Sequence, residues 1–116
     1  MQRQNEIKVE RHGEVIILDF RGDITSLSEI FLKEAYQKAL DQEAQKIIFK
    51  IEKDAYINSG GISLIIQTLY RMQENKQIAA IAGISEHFKK IFSMVGITKF
   101  AKIYDTVDIA LQELGG

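Results

Sequence analysis

After one opening hairpin, the chain alternates between short strand-like runs and longer segments of helical periodicity, and that alternation leaves few folds open. Val15-Ile-Ile-Leu-Asp-Phe20, Lys46-Ile-Ile-Phe-Lys-Ile51 and Gln77-Ile-Ala-Ala-Ile-Ala-Gly83 are nearly continuous apolar runs, as expected of buried strands. Ahead of them Ile7, Val9 and Arg11 alternate with Lys8 and Glu10, the pattern of a half-buried strand, and His12-Gly13 supplies a tight turn. The intervening segments have apolar residues at helical spacing. A first helix follows Ser26 or Ser28 as its cap and gathers Leu32, Ala35, Tyr36, Ala39 and Leu40 on one face. A second, at about residues 60–74, places Ile62, Ile65, Ile66 and Leu69 at i, i+3, i+4 and i+7. A third, capped by Ser85, aligns Phe88, Ile91, Phe92 and Val95 and stops at Gly96. Lys102-Ile-Tyr104 is a short last strand, and Asp105 or Thr106 caps a final helix bearing Val107, Ala110, Leu111 and Leu114. The order β-β-α-β-α-β-α-β-α predicts an α/β fold. It has a mixed, mostly parallel sheet of about five strands and about four helices, joined by right-handed crossovers.

A chain of 116 residues is one domain, residues 1–116, with a single core. Neither a proline nor a Gly/Ser-rich stretch marks a linker, and no repeat is visible. A formal net charge of −1 argues against nucleic acid or an anionic membrane as the main partner. The absence of cysteine excludes disulfides, thiol catalysis and thiolate metal sites. Met1-Gln-Arg-Gln-Asn-Glu6 lacks the apolar core of a signal peptide, and no apolar run reaches spanning length, so a cytoplasmic protein without membrane insertion is expected.

The chemistry concentrates at Tyr56-Ile-Asn-Ser-Gly-Gly-Ile62, between the third strand and the second helix. Asn58 and Ser59 are both good N-cap types, and Gly60 and Gly61 permit a sharp turn. Ser59 is thereby presented at a helix start, where free N–H groups and the positive end of the helix dipole accommodate a phosphate. Taken alone, a serine in this position reads as a structural cap.

Three stretches resemble the STAS domain of the anti-sigma factor antagonist family: the Arg21-Gly-Asp-Ile24 loop after the hairpin, Ile57-Asn-Ser-Gly-Gly-Ile-Ser-Leu-Ile65, and the tail Phe92-Ser-Met-Val-Gly-Ile-Thr-Lys-Phe100 with Ile103-Tyr-Asp-Thr-Val107. The resemblance covers essentially the whole chain. It implies a small protein that binds a histidine-kinase-like anti-sigma factor, which is a serine kinase. Phosphorylation of one serine releases that partner, and a PP2C-type phosphatase restores binding. The family's usual turn reads Asp-Ser, then Ser, Ala or Thr, then Gly-Leu. Matched position by position, Ser59 falls on the phosphoacceptor, Asn58 on the aspartate, Gly60 on the variable small residue, Gly61 on the glycine and Ile62 on the leucine. Asn58 is a departure: it removes a negative charge beside the acceptor yet keeps a side-chain oxygen able to cap the helix.

The switch has a physical account of its own. A phosphate adds about −1.5 to −2 charges and three acceptor oxygens. At a helix start the fold should tolerate it, whereas inside an interface fitted to the neutral turn it should weaken docking by roughly 3–5 kcal/mol, two to four decades in affinity. Asp23 and Thr25 either border that surface or serve as turn residues, and Tyr56 belongs either to the surface or to the core. Leu64, off the main apolar face of the second helix, is expected to be exposed and to extend an apolar docking patch with Ile62.

Enzyme readings find no support. There is no phosphate-binding Gly-x-x-x-x-Gly-Lys loop and no Gly-x-Gly-x-x-Gly. Ser59 lacks a Gly-x-Ser-x-Gly frame, and no histidine is placed to activate it. Neither a metal site nor a cofactor is expected. The reading is a non-catalytic phosphoswitch, a monomer or weak dimer. The alternatives are a STAS scaffold or transporter-associated module in which Ser59 only caps a helix, and a small ligand- or nucleotide-binding domain.

Overall fold

A computed structural model describes residues 6–115. The first five residues, part of the amino terminus read above as lacking a leader, and Gly116 lie outside the described residues. The described chain is one α/β domain with strands β1 (Glu6–His12), β2 (Val15–Arg21), β3 (Lys46–Ile51), β4 (Ile78–Ala82) and β5 (Ala101–Tyr104). They form one sheet in the order β1-β2-β3-β4-β5. The hairpin makes β1 antiparallel to β2, with Gly13 at φ 62 in the turn, and each later strand is parallel to the one before it. The helices are α1 (Glu29–Asp41), α2 (Ser59–Glu74), α3 (Glu86–Met94) and α4 (Val107–Leu114). Among the described residues no helix is long and apolar enough to cross a membrane.

Period-two alternation along the strands separates two apolar layers. Ile16, Leu18, Phe20, Ile47, Phe49 and Ile81 form the larger core with residues of α1, α2 and α3, among them Leu32, Tyr36, Ile65, Leu69, Phe88 and Phe92. Val15, Ile17, Ile48, Ala80 and Ala82 face the other way, where Ala110 of α4 packs on them. The predicted element order and fold class are those observed.

Several details differ from the sequence reading. Neither Ser26 nor Ser28 caps α1 through its side chain. Thr25 instead caps a 3-10 turn at Ser26–Ser28, accepting from Leu27 N–H, while Ser28 Oγ accepts from Thr25 N–H in return. The extra turn moves the capping chemistry to Thr25, upstream of both serines. At α4 the cap is Thr106, which accepts from Ile109 N–H; Asp105 turns instead to Lys89 of α3. Val95, expected on the apolar face of α3, lies just past the helix end at Met94 and is exposed. Gly96 takes the left-handed conformation that ends the helix, at φ 87.

Candidate functional site

Two chain segments are laced together at the carboxyl ends of β2 and β3. Ile24 forms an isolated parallel bridge with Ile57. Ile24 N–H donates to the Tyr56 carbonyl at 2.9 Å, and Asn58 N–H donates to the Ile24 carbonyl at 3.2 Å. The Asp23 carboxylate accepts from Tyr56 N–H at 3.0 Å. Glu52 accepts from Gly22 N–H at 2.6 Å. This lacing fixes the loop that delivers Ser59 to the start of α2.

Gly61 makes the arrangement possible. A Cβ built there would lie 2.2 Å from the Ile24 carbonyl oxygen, a separation that no side chain tolerates. Gly60 is tight as well, with Ser26 Cβ at 3.0 Å and Ser26 N at 3.1 Å from its hypothetical Cβ. The second glycine therefore lets α2 begin directly against the β2–α1 connection, and the first lets Ser26 close over the turn.

Ser59 is the first residue of α2 and is exposed. The capping oxygen comes from Asn58, whose Oδ1 accepts from Gly61 N–H at 2.9 Å while its carbonyl accepts from Ile62 N–H. Ser59 is thus not the cap, which corrects the reading that would give its hydroxyl a purely structural role. Ahead of those two bonded groups, the N–H groups of Ser59 and Gly60 belong to the first turn, which has no intrahelical acceptors. Since Asn and Asp cap about equally well, Asn58→Asp should leave stability within about 0.5 kcal/mol. Asn58→Ala should lose about 1 kcal/mol, a fall in Tm of roughly 4 °C on thermal melting.

Asp23, Thr25, Tyr56, Asn58, Ser59 and Gly60 come together on one surface, with Gly61 buried beneath it. Tyr56 belongs to the surface, 61% exposed. Asp23 and Thr25 border that surface and also hold the loop, Asp23 by accepting from Tyr56 N–H and Thr25 by capping the 3-10 turn. Ile62 is half-buried and packs against the core. Leu64 is a correction. It is only 9% exposed and belongs to the core, because α1 covers that flank of α2 and brings Leu32 and Tyr36 beside it. An apolar docking patch cannot be built on Leu64.

The sequence reading missed Ser26, Leu27, Ile30 and Phe31 near this surface. Leu27, Ile30 and Phe31 recur at i, i+3 and i+4, a signal that could have found them, with Leu27 in the 3-10 turn and Ile30 and Phe31 on the flank of α1 away from its core face. Two ion pairs sit farther along the strand ends. The Asp19 carboxylate raises the Arg21 guanidinium pKa through their hydrogen bond at 2.7 Å and their charge interaction. Lys89 lowers the carboxyl of Asp105, again through a hydrogen bond first and charge second. Among the described residues no group of three His, Asp or Glu side chains could hold a metal ion.

Comparison with known proteins places this geometry in context. The profile of the STAS domain matches residues 6–110. A Thermotoga neapolitana protein, a homologue of TM1081 named as a candidate anti-sigma factor antagonist, is 24% identical over 89 residues, 77% of this chain and 79% of its own length. The crystal structure of TM1081 from Thermotoga maritima, named in the same way, superposes with a TM-score of 0.81 at 20% identity, covering 95% of each chain. The anti-sigma factor antagonist SpoIIAA in its unphosphorylated form superposes at 0.73, with 16% identity over 95% of this chain and 98% of that one. The phosphorylated form of SpoIIAA, a Bacillus cell fate determinant, gives 0.70 at 16% identity over 93% and 98%. At these identities the structural likeness shows a shared fold.

Proposed function

Because the chain belongs to the STAS domain family, we propose that it is a non-catalytic partner-switching protein of the anti-sigma factor antagonist type, acting in the cytoplasm. It docks on a histidine-kinase-like anti-sigma factor, a serine kinase, while the Ser59 hydroxyl is free. Phosphorylation of Ser59 by that kinase releases it, and a PP2C-type phosphatase resets the cycle. The observation that carries this reading is an exposed serine on the first turn of α2 whose hydroxyl is spared from capping by Asn58. A hydroxyl free of a structural task is available to a kinase, and a helix start is a place where the product phosphate is stabilised. Asn58 keeps the cap without placing a carboxylate beside the incoming phosphate, so it preserves the geometry and reduces local repulsion.

SpoIIAA is known in both a phosphorylated and an unphosphorylated structure, and this chain superposes on each of them over nearly its full length. That is the behaviour expected of a fold that carries the modification without rearranging. Incubating the chain with the histidine-kinase-like serine kinase of its own genome and ATP should add one phosphate by intact mass, and Ser59→Ala should add none. Transfer to another residue, or no transfer to a chain that binds the kinase, would rule this reading out.

A further inference from the structure

The 3-10 turn at Ser26–Ser28 and the first turn of α1 carry a second apolar surface that the core does not use. Leu27, Ile30 and Phe31 are 65%, 61% and 40% exposed, and Tyr56 across the laced loops is 61% exposed. Successive helix positions advance by about 100°. Ile30 and Phe31 therefore lie on the outer flank of α1, with Leu27 just ahead of them in the 3-10 turn, while Leu32, Ala35, Tyr36 and Ala39 share the core-facing flank. Farther along the same outer flank the residues are Glu34, Lys38 and Asp41, all exposed and charged. The outer flank of α1 is thus apolar only at the end next to the phosphoacceptor turn, where Ser26 lies against Gly60. Isolated exposed apolar residues are ordinary; three within five successive residues, with an exposed tyrosine across the laced loops, form a patch.

Resting on the partner-switching reading, we infer that this Leu27–Ile30–Phe31 ridge, with Tyr56, is the apolar anchor by which the serine kinase holds the chain, with the Ser59 turn as its charge-sensitive edge. Area decides between a second copy and a different partner. Four side chains at these exposures offer roughly 450 Å², about half of the ~800 Å² that each partner buries in a stable interface. The ridge needs an adjoining surface to complete it. The neighbouring surface is the polar Ser59 turn, with Asn58, Ser59 and Gly60, and the two are continuous through Ser26. The occupant that fits both parts presents an apolar groove flanked by hydrogen-bonding groups matched to an uncharged hydroxyl. Such a partner separates affinity from control: the ridge supplies contact area in either phosphorylation state, and the turn decides whether that contact is tolerated.

The test is titration calorimetry against the ADP-loaded histidine-kinase-like serine kinase from the same genome, using Leu27→Ser/Ile30→Ser, Tyr56→Ser and Ser59→Glu. Thermal melting confirms that each variant is folded, and Tyr56→Ser probes the ridge from outside α1. The double variant should bind about 30-fold more weakly, the loss typical of removing a hot spot, and the deficit should persist at high salt because it is apolar. Ridge variants that bind within twofold of wild type while Ser59→Glu binds weakly would overturn the ridge alone. If neither the ridge variants nor Ser59→Glu weakens binding, or if wild type does not bind the kinase, the switching reading falls with it. Should sedimentation show that wild type dimerises and the double variant does not, the ridge belongs to a homodimer and the inference is overturned.

Discussion

Gly61→Ala should destabilise the domain by about 3 kcal/mol, the upper end of the cost of overpacking a well-packed site. That corresponds to a fall in Tm of roughly 12 °C for a domain of this size. The added methyl would meet the Ile24 carbonyl oxygen at 2.2 Å and the Ile24 carbonyl carbon at 2.6 Å. Neither atom is free to retreat. The Ile24 amide donates to Tyr56 and its carbonyl accepts from Asn58, so moving the peptide breaks both bonds and the Ile24–Ile57 bridge. The alternative is for α2 to withdraw, which uncovers Ile65 and Leu69 in the core. Gly60→Ala is a useful contrast. Its methyl meets Ser26 at 3.0–3.1 Å, a contact that a shift of a few tenths of an ångström relieves, so its cost should be nearer 1 kcal/mol. Urea unfolding of the two variants side by side distinguishes a rigid requirement at Gly61 from a general intolerance of the turn. Equal losses would contradict the account of the Ile24 contact.

Phosphorylation of Ser59 should lower affinity for the serine kinase by two to four decades, roughly 3–5 kcal/mol, while leaving the fold in place. The two halves of that statement have different causes. Within the chain, the phosphate sits on the first turn of α2, where N–H groups and the helix dipole favour negative charge by about 0.3–1 kcal/mol. Asn58 continues to cap through its side-chain oxygen, so no bond of the folded state has to break. Across the interface, the same group brings up to two charges and their hydration into a contact shaped around a hydroxyl. The asymmetry between these two environments is what makes a switch. Ser59→Ala should keep docking and lose control, since it removes the acceptor and little else.

The larger part of this was visible in the amino-acid pattern. Continuous apolar runs marked β2, β3 and β4 because strands covered on both faces need no polar side chains. Gly13 and Gly96 marked left-handed positions, and Ser85 and Asn58 marked helix starts, because those roles depend on a residue and its immediate neighbours. Errors arose where the outcome depends on distant chain. Leu64 lies off the stripe of α2 that faces the sheet, and only the approach of α1 makes its flank interior. Periodicity shows which residues share a face, not how many neighbours cover that face. Val95 fitted the α3 stripe, but the helix stopped one residue short of it. Thr25 was read as loop because the 3-10 turn ahead of α1 is too short to leave a periodic signal. The ridge of Leu27, Ile30 and Phe31 was legible in spacing but was hidden behind the stronger core stripe of α1. The lacing of residues 22–24 to 52–58, which explains why Gly61 has no room for a side chain, pairs segments some thirty positions apart and leaves no local trace.

The central claim is that one added charge at Ser59 changes which partner the chain holds without changing its architecture. Calorimetric titration of the kinase with the unphosphorylated chain and with chain carrying phosphate at Ser59, each checked by thermal melting, tests it most directly. The account predicts at least a hundredfold loss of affinity between two samples that melt within a few degrees of each other. Equal affinities, or a phosphorylated chain that no longer folds, would contradict it.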